Sequence, residues 1–224
     1  MATVVRKEID LSKLYESYRL KLEWVKEQCA GGNFDRIETE NFDGSDMRSA
    51  KAFADMCRPK EEIKENCSRF LKSFSMDDDG EHKLGMVTQS IREGVIGLCP
   101  HHLLPVNYEV FVSYIPQQGK DCCVLGLSKL TRLAREIPKF PMLQEEYAKN
   151  LADVLYEGND WLDGINSAGS AVMVVGRHGC MACRGVLSNG LTSSCEVRGC
   201  YEDHTLEERF CKQVELIRNS IFGM

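Results

Sequence analysis

The sequence predicts an α+β fold, because its elements run as helices, then strands, two helices, more strands and a last helix rather than alternating strand with helix. Three observations carry this. Apolar residues recur at helical spacing through the N-terminal third; the period falls to two at Val106; and it returns to helical spacing at Leu130 and again after Thr205. Residues 1–80 are expected to form a helical region and residues 81–224 one structural unit carrying the sheet. No internal repeat or low-complexity segment interrupts the pattern.

The elements follow in order. Leu11, Leu14, Tyr15, Tyr18, Leu22 and Val25 share one face of a helix that ends before Gly31-Gly32. Met47, Ala50, Phe53, Ala54 and Cys57 make a second helical face, and Ile63, Cys67, Phe70, Leu71 and Phe74 a third. The polar, acidic Met76–His82 segment is a solvated loop. Val106, Tyr108, Val110, Val112 and Tyr114 then alternate with Asn107, Glu109 and Ser113, a half-buried strand stopped by Pro116. Cys122–Leu127 predicts a second strand, paired with the first as a hairpin. Helices around Leu130–Ile137 and Met142–Tyr156 are separated by Pro138 and Pro141, and Ser170–Arg177 is a buried strand. Gly185–Cys200 supplies more strand. Thr205 with Glu208 makes a capping box for a helix through Phe210, Val214, Ile217 and Ile221.

Composition narrows the function classes. The chain has 224 residues, 43% hydrophobic and 28% charged, an ordinary globular balance with no apolar run of membrane-spanning length. A formal net charge of -6 argues against a general nucleic-acid binder, although a local basic pocket can still hold a phosphate. The N-terminal segment lacks an apolar h-region, so export is not expected and a cytoplasmic location is. Eleven cysteines is an odd count, and a reducing compartment leaves thiols free or metal-bound.

Two clusters stand out. Cys99-Pro100-His101-His102 and His178-Gly179-Cys180-Met181-Ala182-Cys183 each sit at the edge of a predicted strand, and thiolate with imidazole favours zinc. Cys99, His102, Cys180 and Cys183 would make a closed structural site. Cys99, His102 and Cys180 alone would leave a fourth position open, as catalysis requires. Buried thiols beside core histidines, with no metal, are a third reading. Spacing does not separate these, but the surplus histidines His101 and His178 suit proton transfer near neutral pH. Lys129 and Arg132 on one helical face, with Arg184 beside the second cluster, could clamp a polyphosphate. Gln144-Glu145 offers a carboxylate that can accept two N–H bonds from a purine edge.

The blocks CPHHLLP (99–105), VSYIP (112–116), GLSKLTRLAR (126–135), LQEE (143–146) and HGCMACRGV (178–186) occur in an order and spacing that resemble GTP cyclohydrolase I. The likeness spans about residues 85–200 and extends more weakly to MRSAKAFADM (47–56). It implies the tunnelling fold: an antiparallel sheet with helices on one face and an N-terminal helical arm. It also implies a toroidal homo-oligomer, a decamer built as a pentamer of dimers with shared active sites. Carried over by position, Cys99, His102 and Cys180 are zinc ligands, and His101 and His178 are active-site histidines. Ser128, Lys129, Arg132 and Arg184 bind ribose and triphosphate. Arg48 is a phosphate-binding arginine from a neighbouring subunit, and Gln144 and Glu145 recognise ribose and the guanine edge.

The implied activity is conversion of GTP and water to 7,8-dihydroneopterin triphosphate and formate. Zinc-activated water attacks guanine C8; ring opening, formate release, ribose rearrangement and ring closure follow. This is the first step of a pterin, folate or 7-deazaguanine pathway. Departures from the family pattern are Pro100 where Glu is usual, Leu98 before Cys99, and Glu146-Tyr147-Ala148 after the Gln-Glu pair. Pro100 and Glu146 motivate one alternative, the same fold acting on another purine or pterin triphosphate; a second is a structural-zinc protein, with Cys183 in a four-ligand site, that binds nucleotide without turnover.

Overall fold

The structure is a computed structural model and describes residues 10–75, 85–117 and 123–222, so the Met76–His82 loop lies outside it. The chain divides into two compact units, parting between Arg58 and Pro59.

The first unit is helical: α1 (Ser12–Cys29), α2 (Arg36–Phe42) and α3 (Ser45–Met56). Its apolar faces are those read from the spacing except for Met47, which is exposed; α1 lies against α3, with the Tyr18 and Phe53 rings 6.4 Å apart. Helix α2, which the sequence reading missed, starts with a reciprocal cap. Asp35 accepts the Glu38 N–H and Glu38 accepts the Asp35 N–H, satisfying two donors that a helix start leaves free.

The second unit opens with α4 (Lys60–Phe70), β1 (Ser73–Ser75), β2 (Val87–Ile91), β3 (Ile96–Leu98), β4 (Pro105–Ile115) and β5 (Cys123–Leu125). It continues with α5 (Leu127–Glu136), α6 (Gln144–Val154), β6 (Gly169–His178), α7 (Gly179–Ala182), β7 (Thr192–Gly199) and α8 (His204–Phe222). Strands β2, β4, β6 and β7 form an antiparallel sheet in that order, and β3 pairs with the start of β4. The alternation at Val106–Tyr114 faces a core closed by α4, α5 and α6, through Ile63, Phe70, Leu130, Leu133, Tyr147 and Leu151.

The structure corrects four expectations. Helices cover both faces of the sheet: Phe111, Ala171 and Val175 pack with Tyr201, Phe210 and Val214, the last two from α8. The strand pattern conceals this because only the Asn107–Glu109 end of the second face is polar, while Phe111 and Ser113 beyond it are fully buried. Strand β5 pairs with β1, not β4. Both edges of β4 are already taken, by β2 and β3 on one side and β6 on the other, so no ladder remains open for a hairpin. Phe74 belongs to β1, beyond the end of α4, and is exposed. Finally, α8 begins one residue before Thr205, and the Asp203 carboxylate accepts the Thr205 N–H in place of a Thr205–Glu208 box.

Candidate metal centre and active site

Strand pairing brings the two sequence clusters together. Leu98, ending β3, pairs with Pro105 at the start of β4, so Cys99–Leu104 is the connecting turn. Two bonds close it: Cys99 N–H to the Leu104 carbonyl and Leu103 N–H to the Cys99 carbonyl, with Leu103 at φ 53°. Val106 in turn pairs with His178, the last residue of β6 and the cap of the single-turn helix α7. A side chain at Gly179 would place its Cβ 2.8 Å from the Pro105 carbonyl oxygen, so glycine lets the second cluster close on the first.

Cys99 Sγ, Cys180 Sγ and a ring nitrogen of His102 all lie within 4.8 Å of one another. Cys99 Sγ and His102 Nδ1 are 3.9 Å apart, near the roughly 3.5 Å that tetrahedral zinc imposes on a sulfur–nitrogen ligand pair. Burial, then the neighbouring Cys99 thiol, push the Cys180 thiol above its ordinary pKa. Two crowded thiols resist ionising together unless a cation compensates them, so the donor set suits a soft divalent metal. Cys183 stands apart: its exposed thiol donates to the Gly179 carbonyl at 2.8 Å. Arg184 reaches His102 Nε2.

A cavity of about 450 Å³ opens beside this group. His101, Glu145 and His178 line it, as do Cys99, His102, Gln144 and Cys180. Burial lowers the His178 pKa, with Glu145 acting in the opposite sense, and the Tyr108 ring meets the imidazole edge-on at 6.3 Å. Glu145 is exposed at the first turn of α6, whereas Gln144 before it is buried with its amide bonded entirely to protein.

The other residues expected from the sequence lie elsewhere. Ser128, Lys129 and Arg132 are on α5 and do not line the cavity; Arg132 lies over the Phe70 ring. Arg48 belongs to α3 of the other unit, where it donates to Ser45 Oγ. Sequence reasoning missed Thr192, Ser193 and Ser194 of β7, which line the cavity beside Met142 and Met181. Three consecutive small hydroxyl residues carry no alternation, so the pattern had nothing to single out. Two departures acquire ordinary reasons. Glu146 accepts the Leu143 N–H and caps α6, and Leu98 is a fully buried core residue. Pro100 lines the cavity.

The family model for GTP cyclohydrolase I matches residues 33–215. GTP cyclohydrolase 1 of Pelotomaculum thermopropionicum is 31% identical over 193 residues, covering 86% of this chain and 89% of the relative. GTP cyclohydrolase 1 of Desulforamulus reducens is 37% identical over 123 residues, 54% of this chain and 60% of that one. Among solved structures, the archaeosine synthase QueF-Like in its apo form aligns at 18% identity and a TM-score of 0.36. That alignment covers 51% of this chain and 96% of the other.

Proposed function

The chain belongs to the GTP cyclohydrolase I family, and from that premise we propose that it converts GTP and water to 7,8-dihydroneopterin triphosphate and formate at the cavity beside Cys99, His102 and Cys180. The observation that carries this reading is the convergence of those three donors, from two separate strand ends, beside two histidines and an exposed carboxylate. The three donors would hold zinc, and the position of Cys183 argues against a closed four-ligand structural site. Bound there, zinc would supply Lewis acidity that makes water nucleophilic near neutral pH.

The chain's own groups divide the remaining work. His178 and His101, which line the cavity, would pass a proton to purine N7, which draws electron density from C8. Glu145 would accept the N–H groups of the guanine edge. Ser128, Lys129, Arg132 and Arg184 would bind ribose and triphosphate, with Arg48 from a neighbouring copy. Binding energy spent on the phosphates then holds the base in place through several bond changes. Ser128, Lys129 and Arg132 lie away from the cavity in a single chain, which supports a homo-oligomer with shared sites, in the toroidal tunnelling-fold arrangement the family implies.

The test compares GTP with ITP, which lacks the 2-amino group. The zinc-loaded protein should release formate from GTP. Glu145→Gln or the use of ITP should reduce kcat/KM by about a hundredfold or more, as expected when a group that the bound substrate shields from water goes unpaired. Nucleotide binding without formate release would overturn the proposal.

A further inference from the structure

Gln144 sits at the first position of α6 and is 5% exposed. Its side-chain nitrogen donates toward the Val174 and Thr192 carbonyls, each at 3.2 Å, and toward Ser194 Oγ at 3.1 Å. Its oxygen faces Thr192 Oγ1 and His178 Nε2, both at 2.9 Å. Two backbone carbonyls accept only from the amide nitrogen, so the amide cannot be turned round, and its oxygen must receive donors. His178 Nε2 therefore carries a hydrogen, and every hydrogen-bonding position of the amide is filled by protein.

The space for this bond is built into the sheet. A Cβ at Gly176 would fall 2.2 Å from Gln144 Oε1 and 3.0 Å from His178 Nε2. Only hydrogen fits between β6 and the amide. The partners on the other side, Thr192 and Ser194, are held opposite Gly176 and Val174 by the β6–β7 ladder.

We infer that Gln144 is a positioning residue: it holds the His178 ring in the Nε2–H tautomer, with Nδ1 left clear of protein partners, instead of touching ribose itself. The tautomer follows from geometry alone, while its use in turnover rests on the cyclohydrolase reading above. Among the described residues, no hydrogen bond reaches His178 Nδ1. Positioning partners of this kind are worth about ten- to hundredfold in activity.

The experiment uses the full-length protein labelled with nitrogen-15 histidine at pH 8, with the His178 signal assigned by its loss in His178→Ala. Wild type should show a His178 Nε2–H proton protected from solvent exchange. Gln144→Met, close in size but without the acceptor, should lose that protection. Its kcat should fall about ten- to hundredfold with KM held within about threefold. Gly176→Ala displaces the amide from the other side and should do the same, which guards against a Gln144 variant that merely unfolds. A proton still protected in both variants, or lost with kcat unchanged, overturns the inference. So does a raised KM at constant kcat, the mark of direct substrate contact. If wild type makes no formate, the cyclohydrolase reading fails and the proton measurement decides the tautomer by itself.

Discussion

Cys180 and Cys183 stand three residues apart around one helical turn, yet only Cys180 faces Cys99 and His102, while Cys183 bonds back to the Gly179 carbonyl. Metal content should follow that difference. Cys99→Ser and Cys180→Ser should purify with little zinc, and Cys183→Ser with about one ion per chain, as determined by mass spectrometry of the metal. Equal loss from Cys183→Ser would move the site to the closed arrangement. Spacing brought out the two clusters because it is local, but it left the triad and the four-ligand set open; the family resemblance singled out Cys99, His102 and Cys180, whose donor atoms lie within 4.8 Å of one another. The setting of Gln144 was not legible in the sequence. Its partners lie on β6 and β7, some 30 to 50 positions away, and only the strand register brings them to one amide. Glu146 reads in the sequence as a charge departing from the family pattern, and its place as the third residue of α6 adds a role the sequence reading did not give it: it caps the helix.

At the scale of elements, α8 closes the second face of the sheet through Phe210 and Val214, which pack with Phe111 and Ala171. Phe210 is fully buried, so Phe210→Ala should destabilise the fold by about 3–4 kcal/mol in urea unfolding at fixed protein concentration. A cost below about 1 kcal/mol would mean that this face is closed by something else. The start of α8 gives a pH signature. Thr205, through its hydroxyl and its N–H, holds the Asp203 carboxyl below its ordinary pKa of 3.8. A depressed carboxylate pKa contributes stability above the unfolded value, and that contribution is lost as the pH falls through the folded one. Asp203→Ala should therefore lower the melting temperature at pH 7 more than at pH 3. Helical faces and the long strands were readable because their periods are local properties. The partner of β5 and the two-sided burial of β4 were not, since both depend on which sheet edges other strands have already taken.

At the scale of the whole molecule, the described cavity holds the three candidate metal donors, both histidines and Glu145, whereas Ser128, Lys129 and Arg132 lie outside it. In a homo-oligomer with shared sites, two inactive chains can repair each other. Arg48→Ala and His178→Ala, co-assembled in equal amounts, should recover roughly a quarter of wild-type activity, as random pairing of two chains at a shared site gives. No recovery would place Arg48 and His178 of each working site on the same chain.

The most direct measurement follows the carbon that the proposed reaction removes. GTP labelled with carbon-13 at C8 and incubated with the zinc-loaded protein should yield labelled formate and unlabelled 7,8-dihydroneopterin triphosphate in equal amounts. Both should disappear when a chelator removes the metal and return when zinc is restored. Label retained in the purine ring, or lost without the pterin forming, would contradict the reaction proposed for this site.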